Sequence, residues 1–526
     1  MKKYISKSLL CATALLLFVS CSESFLTQEP GGASITEAQA KAMDNFLRGS
    51  VLGIYTNMYA YGGEHDAFGQ RSIDMYGDLL CGDMALKTQN YGWFSSDELM
   101  QTSSQRRSYY WSYYYVVARA CNKTINIIDD TENGRPQLDF DAATITDEEY
   151  ENGYYFAELL ALRGWAYSGL LRHFVKPHDI DMSTELAVPV YTEDDTKADT
   201  ILGAPRYTVE QVYQRIEQDF KDAILYFEAY FGFIRDSKIE MNVDIARILL
   251  AYSYLNKGDN TNALKYAKDA IENTSANILP FDEVLTTGFN NVDNNNWIWG
   301  EDVTVQNTTS LASFFGQCDI FSYSYASAGD VKGIDENLYK SIPAWDIRKL
   351  WWSNYSQTGA KNASSYEFAP DGKFYSATSV KLQGDRDWLS DNVFMRLELA
   401  YLIAAEAACR LNDDVTAKDY LYAITDERVL PGQETAYSDW QTSLSSNALL
   451  LEAIRYNWRV ELWGEGYGLQ TFKRFNVSVT LGENHLRSTK TISPDTPSPR
   501  TFTFEIPTDE SYYNPYIRQT TELEKQ

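Results

Sequence analysis

The chain has 526 residues, a formal charge of −27 at pH 7 and a hydrophobic share of 44%. That apolar content can fill a large core, and the length leaves room for more than one domain. So acidic a body repels nucleic acid and anionic lipid headgroups, which argues against both as partners and favours a neutral ligand, a cationic one or a basic protein.

The N-terminus has the layout of an export signal: Lys2, Lys3 and Lys7, then the apolar run Leu9–Val19, then Ser20-Cys21. The run is much shorter than the ~20 residues that a membrane-spanning helix needs. Residues 1–20 are therefore expected to be a lipoprotein signal peptide, removed to leave Cys21 as the lipid anchor. An ordinary secretory signal with an incidental cysteine is the alternative. Cys81, Cys121, Cys318 and Cys409 are scattered and form no C-x-x-C pair, so neither a zinc nor a redox motif is indicated. Cys121 and Cys409 fall on apolar helical faces and are predicted to be buried thiols. Cys81 and Cys318 are open to a disulfide in an exported protein.

Beyond the signal the dominant period is helical. Tyr114, Val117, Ala118, Cys121, Ile125 and Ile128 recur at helical spacing, as do Ala157, Leu160, Ala161, Gly164, Ser168 and Leu171. Ile248, Ala251, Tyr252 and Leu255 lead to a Gly258-Asp259-Asn260 break and a second helix with Ala263, Ala267, Ala270 and Ile271. Leu397, Tyr401, Ala404, Ala405 and Ala408 do the same before Asn412-Asp413-Asp414. Small residues on the inner face and a tight polar turn are the pattern of tetratricopeptide-like helix pairs. The predicted fold is mostly α: one domain over 21–526, with helical repeats at roughly 40–285 and 390–480. A loop-rich insertion at roughly 288–389 carries a few short strands.

Chemistry for catalysis is thin. His65, His173, His178 and His485 form no metal-binding pair, and no nucleophile elbow or phosphate-binding loop is present. Asp385/Asp387 and Asp413/Asp414 could in principle flank a glycosidic bond, but the first pair reads as loop and the second as a helix cap. No metal or other cofactor is expected. The Asn290–Asn296 run could offer oxygens to calcium, with a plain polar turn as the simpler reading. Aromatic residues are the better lead, because their rings give the C–H faces of sugars a flat apolar platform while amides and carboxylates bond the hydroxyls. Two clusters qualify: Asn90, Tyr91, Trp93 and Phe94, flanked by Asp83, and Trp297, Trp299, Tyr323 and Tyr325 in the insertion. Trp111, Trp165 and Trp458 lie on helices and are assigned to the core.

Several stretches resemble, in order, the SusD/RagB family of nutrient-uptake lipoproteins. They are Phe25–Pro30, Trp111–Asn122, Glu158–Tyr167, Ala187–Val190, Arg396–Ala407, Glu461–Gly466 with Phe472–Phe475, Phe504–Pro507 and Asn514-Pro515. Asn457, Gly468 and Thr471 depart from the family pattern. The resemblance implies an outer-membrane protein facing the cell exterior that binds a glycan or other nutrient and delivers it to a SusC-like TonB-dependent transporter, without enzymatic activity. A surface glycoside hydrolase and a peptide- or protein-binding repeat scaffold are the competing readings. Glu461, Glu465, Arg459 and Arg474, set among Trp458, Leu462 and Trp463, are expected to form a partly buried ion-pair network, since an unpaired buried charge is costly.

Overall fold

The computed structural model describes residues 46–60, 62–95, 105–130, 134–141, 143–176, 180–197, 203–230, 237–355, 366–376, 379, 386–487, 490–495 and 502–517. The expected signal segment, Cys21 and Asp385 lie outside them. The chain divides into two units, residues 1–50 and 51–526; of the first, only residues 46–50, at the start of a helix, are described.

Helices dominate. In chain order they are α1 (Phe46–Tyr59), α2 (Gln70–Cys81), α3 (Gln105–Asp129), α4 (Asp147–Phe174), α5 (Val209–Ala229), α6 (Val243–Lys257), α7 (Asn260–Asn273), α8 (Leu397–Arg410), α9 (Asp414–Thr425), α10 (Asn447–Glu461) and α11 (Gly468–Phe475), with a further helix at Glu434–Ser443 and several shorter ones. Their limits follow from local chemistry. Thr146 with Glu149, and Thr208 with Gln211, close reciprocal caps at the starts of α4 and α5. Gly258, at φ +87°, ends α6, and Asp259 then accepts the Asn262 N–H at 3.1 Å to start α7. The second turn repeats the device: Asn412 sits at φ 62° and Asp413 caps α9 through the Thr416 N–H at 3.2 Å.

From α3 to α9 each helix packs on the one before it, giving a continuous tetratricopeptide-like stack. The stack is unbroken at α7–α8, although more than a hundred residues of chain separate those helices. Ala263, Ala267 and Ala270 of α7 and Ala400, Ala404, Ala405 and Ala408 of α8 are fully buried, so small side chains let successive helices approach closely. Trp111, Trp165 and Trp458 are buried as expected, and so are the Cys121 and Cys409 thiols. Cys81 and Cys318 are also buried, and both are free thiols rather than a disulfide. No helix among the described residues is long and apolar enough to cross a membrane.

The strands are short and pair antiparallel. β1 (Met84–Leu86) pairs β5 (Lys332–Ile334), β2 (Leu186–Pro189) pairs β3 (Arg206–Thr208), β4 (Trp297–Glu301) pairs β8 (Asn392–Arg396), and β6 (Trp352–Tyr355) pairs β7 (Tyr366–Pro370). The β4–β8 pair, with Trp297 opposite Arg396 and Glu301 opposite Asn392, closes the neck of the insertion. The Asn-rich run before β4 is a hydrogen-bonded turn: Asn294 N–H donates to the Asn291 carbonyl at 3.2 Å and Asn296 bonds Glu398.

A buried ion cluster fixes the insertion to the stack. Glu461 pairs with Arg348 at 3.0 Å, Arg396 at 3.2 Å and Arg428 at 3.0 Å, and Glu465 pairs with Arg396 at 2.9 Å and Lys373 at 2.8 Å. Asp346 and Glu398 complete it, bonded to Arg348 at 2.6 Å and Arg396 at 3.0 Å. Asn457 accepts from Arg348 at 2.9 Å, so the residue that departs from the family pattern still serves the cluster. Burial would raise Glu461, but Arg428, Arg396 and Arg348 hold it well below the usual carboxylate range. Arg474 instead pairs with Glu406 at 2.8 Å, tying α11 to α8.

Candidate functional site

Part of each expected aromatic cluster meets part of the other at the surface. The loop after β1 carries Asn90, Tyr91 and Trp93; the loop before β5 carries Tyr323 and Tyr325. Asp330 joins them, its two carboxylate oxygens accepting the backbone N–H groups of Asn90 at 2.7 Å and Tyr91 at 3.0 Å. Charge-assisted bonds of this kind hold a loop more firmly than neutral ones. Beneath Asp330, buried Lys332 donates to Gln317 at 2.6 Å and to the Asp330 carbonyl at 2.9 Å; burial pushes its ammonium down to about 8, against the pull of Asp330.

The rings then converge. Tyr91 meets Tyr325 edge-on at 5.2 Å between centroids, and His65 stacks on Trp93 at 5.3 Å. His65 also meets Tyr325 at 5.6 Å, with a hydrogen bond between its Nδ1 and the tyrosine hydroxyl. Arg106, paired with Asp66 at 2.8 Å, lies 5.8 Å from the Trp93 ring centroid. Tyr91 is 53% exposed and Tyr323 66%, while Trp93 and Tyr325 are half-buried. The indole N–H of Trp388 donates to the Tyr323 carbonyl at 3.2 Å and extends the aromatic surface. Together the rings form an amphipathic face with hydroxyl, imidazole and amide groups at its edges.

Four expected site residues lie elsewhere in function. Phe94 is fully buried at φ 61°, packed on Tyr76 and Phe68; it anchors the turn that presents Trp93. Asp83 is buried and bonds Arg459 at 2.7 Å, so it is an internal ion-pair partner. Trp297 and Trp299 are 1% and 2% exposed. They belong to β4, where Trp299 lies 5.1 Å from Phe394 and 6.0 Å from Trp165, and they pack the neck instead of offering a face to ligand. His65, Asp330, Arg106 and Trp388 enter the surface without having been singled out in the sequence. Asp330 and Trp388 carried no signal beyond their place in the loop-rich insertion, and His65 and Arg106, the latter on α3, carried none. Of the acidic pairs, Asp387 accepts the Leu389 N–H at 3.1 Å within its loop, and Asp413 is the helix cap described above.

A family model described as the SusD family matches residues 319–525, and a second, described as starch-binding associating with outer membrane, matches residues 41–231. The chain is thus similar to SusD-family proteins in both its N-terminal and its C-terminal half. A SusD-like protein of Bacteroides ovatus is 25% identical over 382 residues, 72% of this chain; the chain spans 62% of the length of that curated relative. Among solved structures, a SusD-like carbohydrate binding protein from Bacteroides vulgatus superposes with a TM-score of 0.71 at 20% identity, covering 90% of this chain and 96% of that one. A SusD superfamily protein from Bacteroides thetaiotaomicron gives 0.70 at 22% identity, covering 90% and 98%. These structures share the helical fold of this SusD-like chain.

Proposed function

We propose that this chain is a lipoprotein of the outer membrane that binds an oligo- or polysaccharide and passes it to a SusC-like TonB-dependent transporter, breaking no bond. Cys21 is the anchor, since two or more acyl chains give stable attachment, and the protein faces the cell exterior. The observation that carries the reading is the convergence of Tyr91, Trp93, His65 and Tyr325 from separate loops into one half-exposed face. Rings of this kind stack on sugar C–H faces, and their polar edges meet hydroxyls. The fold-mate from Bacteroides vulgatus described as carbohydrate binding supports the same assignment. Asp330 is a buried acid that touches the ring-bearing loops, and its two oxygens are engaged by backbone N–H groups. It therefore acts as a clamp and not as a proton donor to a glycosidic bond.

Calorimetric titration of the mature protein against a panel of neutral oligosaccharides tests the reading. At least one member binds the wild type, and Trp93→Ala and Tyr325→Ala each weaken it by about tenfold or more, with no sugar product released on long incubation. Unchanged affinity in both variants, or release of shortened product, overturns it. Co-purification of a TonB-dependent barrel with the lipidated protein tests the hand-over.

A further inference from the structure

Beside the aromatic face lies a pocket with an unusual balance of polar groups. It opens between the end of α1, the β4–β8 neck and the short helix Phe314–Cys318. Its volume is about 340 Å³ with the mouth included. The space open to a water-sized group is only about 20 Å³, so its depth suits a single small headgroup. Tyr59, Phe68, Phe314, Phe315 and Trp388 supply its walls, and Glu301 reaches it from the last position of β4. The pocket adjoins the proposed sugar face through Trp388, which bonds the Tyr323 carbonyl, and through Phe68, 5.8 Å from Phe94.

The polar groups are incompletely paired. Glu301 is 6% exposed and accepts one bond, from Asn392 Nδ2 to Oε2 at 2.8 Å. Among the described residues its Oε1 has no protein partner, and Asn392 Oδ1 is buried without one. Among the described residues no cation lies within ion-pair distance of Glu301. The nearest that it feels is Arg71, which is already engaged by Asp74 at 3.4 Å and by the Gly464 carbonyl at 2.7 Å. The other charges facing the carboxyl are acidic: Asp391, held by the Val292 and Val303 N–H groups, and Asp302. Tyr59, in the pocket wall, feels the charge of both Glu301 and Glu240, and its buried hydroxyl has no hydrogen-bond partner among the described residues. Burial, with Asp391 and Asp302 behind it, raises Glu301 to about 8 against the Asn392 bond and Arg71. Two acceptors lacking donors, a carboxyl lacking a counter-ion and five aromatic rings are what an ammonium group needs.

We propose that this pocket is a subsite for a ligand ammonium group, paired with the Glu301 carboxylate, and that the glycan taken by this protein carries an unsubstituted amino sugar. The amine part rests on the pocket alone; its arrival as part of a glycan rests on the sugar-binding reading above. Binding displaces the proton on Glu301, so complex formation near neutral pH releases a proton to solvent.

Titration of the mature protein with a glucosamine tetramer and with its fully N-acetylated counterpart tests the glycan part. The amine-bearing tetramer binds at least tenfold more tightly, Glu301→Gln removes that preference while leaving the N-acetylated tetramer unaffected, and calorimetry in two buffers of different ionisation enthalpy reports close to one proton released with the wild type and none with the variant. Equal affinity for the two tetramers, or a preference that survives Glu301→Gln, overturns the proposal. The pocket is also probed without sugar. Propylammonium raises the melting temperature of the wild type and of Trp93→Ala, but not that of Glu301→Gln. A shift equal in all three proteins, or absent from the wild type, refutes the ammonium site itself. If neither tetramer binds while propylammonium still acts through Glu301, the failure lies in the glycan reading and the amino-sugar assignment falls with it.

Discussion

Replacing Glu461 with glutamine should cost about 3–5 kcal/mol of folding stability, the usual price of removing one partner from a buried ion pair. The cluster is balanced: Arg348, Lys373, Arg396 and Arg428 face Asp346, Glu398, Glu461 and Glu465. Glutamine keeps the shape and an acceptor oxygen but leaves a net buried positive charge. Lys373 is the group able to relieve it. Burial lowers its ammonium to about 8, with Glu465 and Glu461 holding it up and Arg396 pushing it further down. Without Glu461 it gives up its proton at lower pH. Loss of that proton restores neutrality, so the deficit should be larger at pH 6 than at pH 8. Urea unfolding followed by circular dichroism measures both values. Glu452→Gln is the control: Glu452 is 55% exposed and pairs with Arg455 on the surface of α10, so its loss should be about 0–1 kcal/mol. A Glu461→Gln deficit under about 1 kcal/mol at both pH values, or one that grows with pH, would refute the account of the cluster.

Lys473 is buried with its ammonium donating, among the described residues, only to the Arg172 carbonyl at 2.7 Å, and burial, then Arg172, lowers it to about 7. Between pH 7 and the ordinary lysine range of about 10 the unfolded chain holds a proton that the folded chain has given up, so wild-type stability rises with pH across that window. Lys473→Met lacks this term; its melting temperature relative to wild type should be higher at pH 6 than at pH 9. Gly169→Ala would drive a Cβ into the Tyr114 ring, so overpacking of about 1–3 kcal/mol should exceed the roughly 1 kcal/mol gained in helix propensity. Gly53→Ala in α1 meets nothing within 4 Å and should stabilise by about 0.5–1 kcal/mol. Equal melting temperatures for these two glycine variants would contradict the packing read around Tyr114.

The helical frame was legible because its signals are local. Alanines at helical spacing, the Gly258-Asp259 and Asn412-Asp413 turns and the capping residues each act within one or two turns of chain, and the structure uses them so. The ion cluster was half legible. Charges beside Trp458 and Trp463 had to be paired, but the partners Arg348 and Lys373 come from the insertion, which no local pattern reveals. Trp297 and Trp299 misled for a specific reason. Their alternation does mark a strand, but all five residues of β4 are buried, and a strand covered on both faces has no solvent side for the period to identify. Asp83 misled because a polar residue beside a turn looks exposed until its partner, Arg459, is known. His65 gave no motif at all; its role comes from a ring contact across loops distant in sequence.

This division between local and distant signals matches the way the molecule separates frame from binding face. The insertion is closed at its neck by β4–β8 and bolted to α10 and the turn after it through Arg348 and Lys373, all within the buried interior. The ring-bearing loops are fixed by backbone-directed bonds: Asp330 to the N–H groups of Asn90 and Tyr91, Gln317 to the His65 carbonyl at 3.2 Å, and Trp388 to the Tyr323 carbonyl. Bonds of that kind set where a loop runs but not which side chain it displays. Tyr91 and Tyr323 can therefore change identity at little cost to the frame, because surface substitutions that break no buried bond seldom alter stability by more than about 0.5 kcal/mol. A face whose rings are held in place before the ligand arrives also loses little side-chain entropy on binding. Ligand choice can thus drift through a few exposed positions while the helix stack, the ion cluster and the clamps stay constant.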